Sequence, residues 1–541
     1  MERDYADLSK KIIMKNWLLS DKLLATLFAT CLVAATAYLL VYFADYGNWF
    51  IHPHQFEIHL PMLLSAGPDF HISNFAKIFQ QFDPNENRPR FLAYSIILLN
   101  LHLRMWVYEW FVLYPPISIG WVFELFVGPW FLYLLLINFT KDRLAALAGL
   151  LVYVTSIGFL SGFAMPLMPS KPLTNVILIL VLFVLTKINA QATPSQLFHE
   201  VGGQSRWSFV IGALLLAGLF LDEVPIFAFI LPLIFFPSLF FPRSLKALDN
   251  FKGFTRSTVL FATTFIIFVL IVVAIIPTIT KVLYGYRFNF IGSALVNEAA
   301  ATAGKTFFSG PLYGFSINSL WSNFISLIGL SLIPFDIAPL FMHPSGGGVV
   351  TGISTTGPAI TMTVAAFIVL TVLAYSNRNE QGKLLGRAVF ATLFFVLFMS
   401  LLSGRHVPFI SGYVYGSGIC VFVALMTGLG LSLCKKPPFR YLAAFCIVAI
   451  ASIQIHNFRE INASWVELHN DGWSRKSYEK QLPIARDGRP TTREELSEIW
   501  SAWHAGHLNS YLANHEISPG SVFLIFELRH LEKWRTPNIS K

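Results

Sequence analysis

The sequence predicts an all-α polytopic membrane protein with about 11–13 transmembrane helices and a small mixed α/β extramembrane domain at its C-terminus. Three observations carry this prediction. Hydrophobic residues make up 55% of the chain and charged residues only 13%. The mean hydropathy is +0.59, so lipid rather than a soluble core must cover most of the apolar surface. After His456 the composition shifts to charged and tryptophan-containing sequence, which predicts the C-terminal domain.

The first apolar run extends from Lys22 to Ala44 and follows a segment, residues 1–21, that mixes acidic and basic side chains. No obvious small-residue cleavage site accompanies the run. This pattern is typical of an uncleaved signal anchor rather than a removable signal peptide. We therefore expect residues 1–21 to lie in the cytoplasm and the membrane domain to begin at residue 22.

Further apolar runs follow along the chain, and each is long enough, or nearly so, to cross about 30 Å of hydrocarbon as a helix. They are Ile117–Ile137, Leu144–Phe163, Leu173–Leu185, Trp207–Leu221, Ile226–Phe241, Val259–Ile279, Ile360–Ala374, Val389–Leu402, Ile410–Leu433 and Leu442–Ile455. The segments Phe91–Leu113 and Ile317–Met342 are ambiguous. The first contains Asn100, Arg104 and Glu109, which favours a position at the interface or against protein.

Basic residues between the runs predict the orientation of the membrane domain, residues 22–455. With the N-terminus in the cytoplasm, the basic clusters also fall inside, provided that residues 317–342 add no net crossing. These clusters are Lys141 with Arg143, Arg243–Arg256, Arg378–Arg387 and Lys435–Arg440. The loops 45–90 and 284–315 and the domain 456–541 then share the outer compartment. The membrane would be the bacterial inner or plasma membrane, or the endoplasmic reticulum in a eukaryote.

The C-terminal segment 456–541 carries signals of folded structure. Thr492 and Glu495 have the spacing of a capping box, which predicts the start of a helix. The apolar face of that helix would contain Leu496, Ile499, Trp500 and Trp503. A second run, Val522–Leu528, predicts a short strand or a buried helix.

Charge and cysteine content exclude two classes of function. The net charge is +9, but Lys and Arg lie in short clusters between apolar runs, so membrane lipids are the expected partners and nucleic acid is not. The four cysteines all lie in or beside apolar runs, which argues against a disulfide framework or a cysteine metal site in the polar segments.

Loop 45–90 combines carboxylates with cations, at the mouth of a cavity that would suit a lipid-linked substrate. Its acidic residues are Asp45, Glu57, Asp69, Asp83 and Glu86, and its basic residues include Lys77, Arg88 and Arg90. Transfer of a sugar from a lipid phosphate needs a carboxylate that accepts a proton and a cation that holds the departing phosphate. The alternative is that Asp45 caps the first span and the other side chains are solvated.

Three stretches resemble GT-C-fold glycosyltransferases, notably the protein O-mannosyltransferase-like enzymes and related bacterial branches. FDPNENRPRFL at 82–92, followed by LLN at 98–100, resembles the "RPL…LN" pattern after the first outer loop of that superfamily. DRLAALAG at 142–149, with Ser161, Gly162, Lys171 and Pro172, is similar to its third and fourth spans. LSGRHVPF at 402–409 resembles its late turn with arginine and proline.

This resemblance implies inverting transfer of a sugar from a polyprenyl-phosphate-linked donor to a glycan, lipid or protein acceptor on the outer face. It implies a catalytic acid just after the first span, which is Asp45, with Glu57 in reserve. Arg88 and Arg405 match motif positions and would bind the donor phosphate, because a guanidinium can hold it bidentately. Interfacial snorkelling is the alternative for both arginines. The acidic pair of the family is replaced here by Asp45 and the later Glu57.

Other features leave alternatives open. His52, His54 and His59 could share a divalent cation, although Pro53 breaks helical spacing. Glu124 is an acid inside an apolar run and is either functional or part of helix packing. A transporter or flippase of a lipid-linked glycan is the second function, but concentration of polar groups in loops on one face favours surface chemistry. A non-catalytic assembly subunit is the third.

Overall fold

The computed structural model describes residues 2–43, 91–111, 118–156, 158–160, 170–191, 201–221, 227–228, 230–237, 341–342, 350–351, 357–403, 418–465, 498–499, 501–503 and 505–515, and a few positions between 270 and 324. These residues are predominantly helical. A two-residue hairpin is the exception, in which β1 (Phe341–Met342) pairs antiparallel with β2 (Val350–Thr351). The all-α class of the membrane domain therefore agrees with the described part of the chain.

The helices of the described residues follow one another in chain order. They are α1 (Glu2–Phe43), α2 (Phe91–Phe111), α3 (Ile119–Val122), a π-helical turn (Phe123–Val127), α4 (Gly128–Thr140), α5 (Arg143–Thr155), α6 (Ser170–Gln191), α7 (Val201–Leu221), α8 (Leu231–Phe235), α9 (Gly357–Ser376), α10 (Glu380–Ser403), α11 (Ile419–Leu433), α12 (Pro437–Trp465) and α13 (Leu508–Asn514).

Four helical segments in the described part of the chain are long and apolar enough to cross a membrane. They are Asp21–Phe43, Ile119–Thr140, Glu380–Met399 and Pro437–His456. Shorter apolar helices accompany them, among them α5 and α11. A chain with these helices is compatible with a membrane protein, and each of the four overlaps a run predicted from the sequence. Helix α10 begins at Glu380, nine residues before the predicted run Val389–Leu402, and so includes most of the basic cluster Arg378–Arg387.

Three helices, α1, α5 and α12, run parallel. At one end, Arg440 of α12 contacts Asp142, the N-cap of α5, and Asp21 of α1. Toward the other end of α5, the Thr155 hydroxyl donates to Gln454 Oε1 of α12 at 2.9 Å. Paired residues of α5 and α12 are thus separated by nearly the same number of sequence positions at both ends of α5, so the two helices stay in register.

Helix α11 lies antiparallel to α5 at very short distance. A Cβ atom added at Gly149 would lie 2.6 Å from the carbonyl oxygen of Ala424, and one added at Gly428 would lie 3.1 Å from the carbonyl oxygen of Ala145. Glycine at both positions lets the two backbones approach, as small residues do between helices in lipid. This contact sets the register of the two helices.

Helix α4 packs antiparallel to α5 and parallel to α6. A Cβ atom at Gly128 would lie 3.6 Å from the Tyr153 hydroxyl and 3.3 Å from Val176 Cγ2. Further along α4, the ring of Phe131 packs edge-on against Phe183 of α6, with centroids 5.0 Å apart. The apolar side chains of α4, α5, α6 and α11 form the centre of the core.

These packing directions define two ends of the bundle. The starts of α5, α10 and α12 and the ends of α4, α9 and α11 form the basic end, named for the basic residues beside them: Lys22, Lys141, Arg143, Arg378, Lys383, Lys435 and Arg440. The opposite end contains the ends of α1, α5, α10 and α12 and the starts of α3, α6 and α11. We call it the Glu124 end.

The structure corrects two predicted spans. Leu144–Phe163 was expected to cross the membrane as one helix, but α5 ends at Thr155 and Ser156, with φ −69° and ψ 145°, is extended.

Ile226–Phe241 was expected to cross the membrane as one helix, but within it the described helix α8 covers only Leu231–Phe235. Pro232 lies in the first turn of α8, and Phe236, with φ −131° and ψ 52°, leaves the helix just before Pro237. Proline cannot continue a helix because it lacks the N–H and its ring blocks the preceding turn.

The structure describes part of two segments whose conformation the sequence left open, Phe91–Leu113 and the C-terminal tail. The segment predicted to lie at the interface or against protein is helix α2, in which Asn100 is buried and Trp106 and Trp110 are exposed. In the tail, residues 498–499 and 501–503 are helical and Ile499 and Trp503 are buried, as the predicted helical face requires. The run Val522–Leu528 lies outside the described residues, so the mixed α/β class of the C-terminal domain remains a prediction.

Candidate functional site

The four site residues predicted from the sequence, Asp45, Glu57, Arg88 and Arg405, lie outside the described residues. The histidines at 52, 54 and 59 lie outside them too. Their roles therefore remain predictions. Within the described residues, no group of three or more His, Cys, Asp or Glu side chains could hold a metal ion.

The helices that precede two of these residues end on the same side of the bundle. Helix α1 ends at Phe43, two residues before Asp45. The ring centroid of Phe43 lies 6.0 Å from that of Phe458 in α12. The neighbouring Tyr42 hydroxyl accepts a hydrogen bond from Asn462 Nδ2 at 3.1 Å. Helix α10 ends at Ser403, two residues before Arg405. Both helix ends belong to the Glu124 end.

Glu124 lies in the π-helical turn inside the apolar segment Ile119–Thr140. Gly128 and Pro129 follow the turn directly, and Pro129 has no N–H to bond the carbonyl of Leu125. A π-helical turn accommodates the lost hydrogen bond, and such turns are frequent at functional sites. The Glu124 side chain is 2% exposed. Its carboxyl group is therefore inside the bundle, about 8 Å along the helix from Ile119.

Tyr153 and Ser156 bring polar groups from the end of α5 to this level. Tyr153 is fully buried, and its hydroxyl lies beside Gly128, one turn after Glu124. The Ser156 hydroxyl donates to the carbonyl oxygen of Tyr153 at 2.7 Å and accepts from the N–H of Phe159 at 3.3 Å. Ser156 thus ends α5 and caps the helical turn that follows.

Cys420, in the first turn of α11, completes the cluster. Its buried side chain is hydrogen-bonded to the side chain of Ser156 and lies near Glu124 and Tyr153. The antiparallel register of α5 and α11 places residue 420 beside residue 153. We call Glu124, Tyr153, Ser156 and Cys420 the Glu124 cluster.

Four buried polar atoms toward this end have no hydrogen-bond partner among the described residues. They are Glu124 Oε2, the Tyr153 hydroxyl, Asn175 Oδ1 of α6 and Gln454 Nε2 of α12. Leaving such an atom unpaired costs about 1–3 kcal/mol, so each one in a natural protein calls for a reason. Acid–base chemistry or the binding of a polar group is one such reason, and a carboxyl group beside a phenol can take part in either.

Asn100, the asparagine of the LLN stretch, has a structural role. Its Oδ1 accepts from the backbone N–H of Ile119 at 2.6 Å, and its Nδ2 donates to the Ser118 hydroxyl at 3.2 Å. Ser118, the N-cap of α3, makes no side-chain capping bond of its own. Asn100 therefore caps the helix that carries Glu124, satisfying one N–H that the helix itself cannot.

Sequence reasoning identified Glu124 but missed the rest of its cluster. An acid in an apolar run is costly and so stands out. Tyr153, Ser156 and Cys420 are residue types that occur commonly in apolar runs, and nothing in their spacing joins them. Helix packing alone brings them beside Glu124.

No protein-family model matches the chain, and no curated protein matches it significantly.

Proposed function

We propose that the chain is a multi-pass membrane glycosyltransferase that moves a sugar, with inversion, from a polyprenyl-phosphate donor to an acceptor. The reaction takes place at the Glu124 end, which faces the extracytoplasmic side, and the basic end faces the cytoplasm. The acceptor is a glycan, a lipid or a protein. Both the resemblance to GT-C-fold enzymes and the arrangement of the described helices support this proposal.

The observation that carries the proposal is the polarity of the two bundle ends. The helix ends that lead into Asp45 and Arg405 lie with the Glu124 cluster, and the basic residues lie at the other end. Basic residues favour the cytoplasmic side of a membrane. A carboxylate-bearing loop, an arginine-bearing turn and a buried acid would then meet at one membrane surface, where a lipid-linked sugar presents its phosphate.

In the proposed reaction, the carboxylate of Asp45 accepts the proton of the acceptor hydroxyl. The acceptor oxygen forms a bond to the anomeric carbon, and the bond between that carbon and the phosphate oxygen breaks. The electron pair leaves with the polyprenyl phosphate, whose charge Arg405 and Arg88 stabilise. Glu57 is the reserve base. Glu124, within the helices at this end, would hold the donor by hydrogen bonding or would tune the charge of the site.

A transporter of the lipid-linked glycan is the second candidate, and the buried Glu124 on an irregular turn is the observation that favours it. Transporter sites are often built from broken helices near the bilayer midplane. Glu124 instead lies only five residues from Ile119, at one end of a 22-residue segment. This position is about halfway between the end and the middle of the segment rather than at its middle, which favours transfer over transport.

A transfer assay tests the proposal. The full chain, in liposomes with radiolabelled polyprenyl-phosphate mannose, should release polyprenyl phosphate and pass label to an added membrane extract. Asp45→Asn and Glu57→Gln serve as matched variants. If label crosses the bilayer with the phosphate–sugar bond intact, the chain is a transporter. If neither transfer nor crossing occurs with mannose or other sugar donors, the assembly-subunit alternative gains support.

A further inference from the structure

A groove between α8 and α10 at the basic end has two cations at its rim and apolar walls. Its volume is about 650 Å³, within the range of ligand-binding pockets. Leu233, Ile234 and Pro237 form one wall, and Lys383, Arg387 and Phe390 belong to the other. We name it the Arg387 groove.

The α10 wall follows one stripe of the helix. Lys383, Arg387, Phe390 and Phe394 are spaced four, three and four residues apart, so their side chains share a face. The two cations come first and the two rings follow, stacked with centroids 5.9 Å apart. From Lys383 to Phe394 the groove extends about 16 Å along the helix axis.

The groove is open on its outer side. Leu233 is 42% exposed and Phe390 is 57% exposed. In a helix that crosses a membrane, such side chains face lipid tails. Gly386 leaves room beside the rings, because a Cβ atom there would meet only Ala374 Cβ, at 3.8 Å.

A hydrogen bond fixes the position of Arg387 at the rim of the groove. Its Nη1 donates to the carbonyl oxygen of Phe235 at 2.8 Å. That carbonyl belongs to the last turn of α8, so the contact also joins the two walls. Lys383 lies one turn closer to the helix start, where its ammonium contacts Glu380 at 2.9 Å. The rim formed by Glu380, Lys383 and Arg387 carries a net charge of +1 by formal count.

From this geometry we propose that the Arg387 groove binds one anionic phospholipid of the cytoplasmic leaflet. The phosphate contacts Arg387 and Lys383, and one acyl chain lies along Phe390 and Phe394. A phosphate suits a guanidinium because the two can form paired hydrogen bonds. The order of cations and then rings along the helix matches the order of headgroup and then tail in a lipid. The choice of the cytoplasmic leaflet rests on the proposed orientation of the basic end, but the lipid site itself does not depend on the proposed sugar transfer.

Lipid retention by the full-length protein measures this binding. Native mass spectrometry, with dioleoyl-phosphatidylglycerol and dioleoyl-phosphatidylcholine added in equal amounts, should show preferential retention of one phosphatidylglycerol. Added phosphatidylglycerol should also raise the thermal-unfolding midpoint, since it binds the folded state. Water-soluble glycerol phosphate should give neither effect, because it lacks the acyl chain. Equal retention of the two lipids, or equal protection by glycerol phosphate, would overturn the proposal.

Variants separate the headgroup contact from the acyl contact. Arg387→Gln should weaken phosphatidylglycerol binding by about 10- to 100-fold, the loss expected for one charged hydrogen bond. Arg387→Lys should restore only part of it, because the ammonium keeps the charge but lacks the planar fork. Gly386→Leu should also lower retention by occupying the groove while leaving both cations. Lys435→Gln, at the same end of the bundle but outside the groove, is the control. If Arg387→Gln folds poorly, Lys383→Gln provides the charge test.

Unchanged retention in both Arg387→Gln and Gly386→Leu would show that the lipid binds elsewhere. An equal loss in Lys435→Gln would show that only the overall charge of the basic end attracts lipid, and this too would contradict a defined site.

Discussion

Arg440 and Asp142 form an ion pair in which Nη2 of the arginine lies 2.8 Å from Oδ2 of the aspartate. The other oxygen of Asp142 accepts hydrogen bonds from the N–H groups of Leu144 and Ala145. Nε of Arg440 also lies 3.4 Å from Asp21. One guanidinium thus connects the three parallel helices at the basic end. The Arg440 and Asp142 side chains are 15% and 21% exposed, so water screens the pair only in part.

Arg440→Gln should lower the free energy of unfolding by about 1.5–3 kcal/mol, the range for a hydrogen bond to a charged group. Asp142→Asn should lower the free energy of unfolding by a similar amount, because it removes the ion pair but keeps a side chain that caps the helix. Asp142→Ala should cost about 1 kcal/mol more, because the cap is lost as well. Denaturant unfolding in detergent measures each change. Simple addition of the losses in the Arg440→Gln/Asp142→Asn double variant would contradict a direct pair. Lys383→Gln, in an exposed pair with Glu380, is the control.

Gly149→Ala should destabilise the bundle by about 1–3 kcal/mol through overpacking. The added Cβ would lie 2.6 Å from the Ala424 carbonyl oxygen, so α5 and α11 must move apart. Gly212→Ala is the matched control, since nothing lies within 4 Å of its added Cβ. The control should unfold at the same temperature as the natural protein or slightly higher. Equal midpoints for the two variants would contradict the close α5–α11 contact.

Glu124→Leu should leave the free energy of unfolding unchanged or increase it. The substitution removes a buried carboxyl oxygen that has no hydrogen-bond partner among the described residues. Asn100→Leu should destabilise, since it removes the hydrogen bonds that cap α3. If Glu124 works in the proposed reaction, Glu124→Gln should reduce sugar transfer with the fold intact, because the amide lacks the charge of the carboxylate and accepts fewer hydrogen bonds. Thermal unfolding and the transfer assay together separate the two effects. Normal transfer by Glu124→Gln would restrict Glu124 to helix packing.

Asp45→Asn should abolish most transfer while preserving donor binding, as expected when only proton abstraction is lost. Arg405→Ala should instead weaken donor binding, and Arg405→Lys should restore it only in part, because the ammonium lacks the planar fork. Binding of a labelled donor and single-turnover transfer are measured separately. Collapse of transfer in Glu57→Gln but not in Asp45→Asn would exchange the roles of the two acids. Unchanged donor binding in both Arg405 variants would exclude the arginine.

Cys434 lies between α11 and α12 at the basic end and reports the orientation of the bundle. Burial raises the pKa of its thiol above the ordinary value, and the Arg440 guanidinium partly opposes this. In a chain whose other cysteines are replaced by alanine, a membrane-impermeant maleimide should label Cys434 only after permeabilisation. Labelling should accelerate from about pH 7 to about pH 9, since the thiolate is the reactive form.

A second position provides the opposite control. Ser510 is exposed in α13 of the tail. In the variant Ser510→Cys, the new cysteine should be labelled by the same maleimide in intact cells. Labelling of Cys434 without permeabilisation, together with protection of Ser510→Cys, would reverse the orientation and move the proposed reaction to the cytoplasmic side.

Run length in the sequence predicted most of the described helices, because an apolar run between charged residues has one stable form in lipid. The run Trp207–Leu221, for example, ends at the same residue as α7. Run length failed at Ile226–Phe241, where two prolines matter more than hydropathy. It also carries no information on the relative positions of helices. The position of Cys420 near Tyr153 depends on the α5–α11 register, which two glycines set and which no one-dimensional pattern contains.

Only Lys141 and Asp142 separate α4 from α5, and Lys141 adopts the left-handed conformation, with φ 56° and ψ 22°. The N–H of Lys141 donates a hydrogen bond to the carbonyl oxygen of Ile137 at 3.0 Å. The side-chain amide of Gln381 donates to the carbonyl oxygen of Thr140. A joint this short leaves the two helices no freedom to swing separately. During synthesis we expect them to enter the bilayer together as one helical hairpin, with Lys141 and Arg143 held back on the side of the ribosome. Replacing this joint with a long flexible linker would make each helix insert by itself, and α5, a helix of only 13 residues, would be the one to fail.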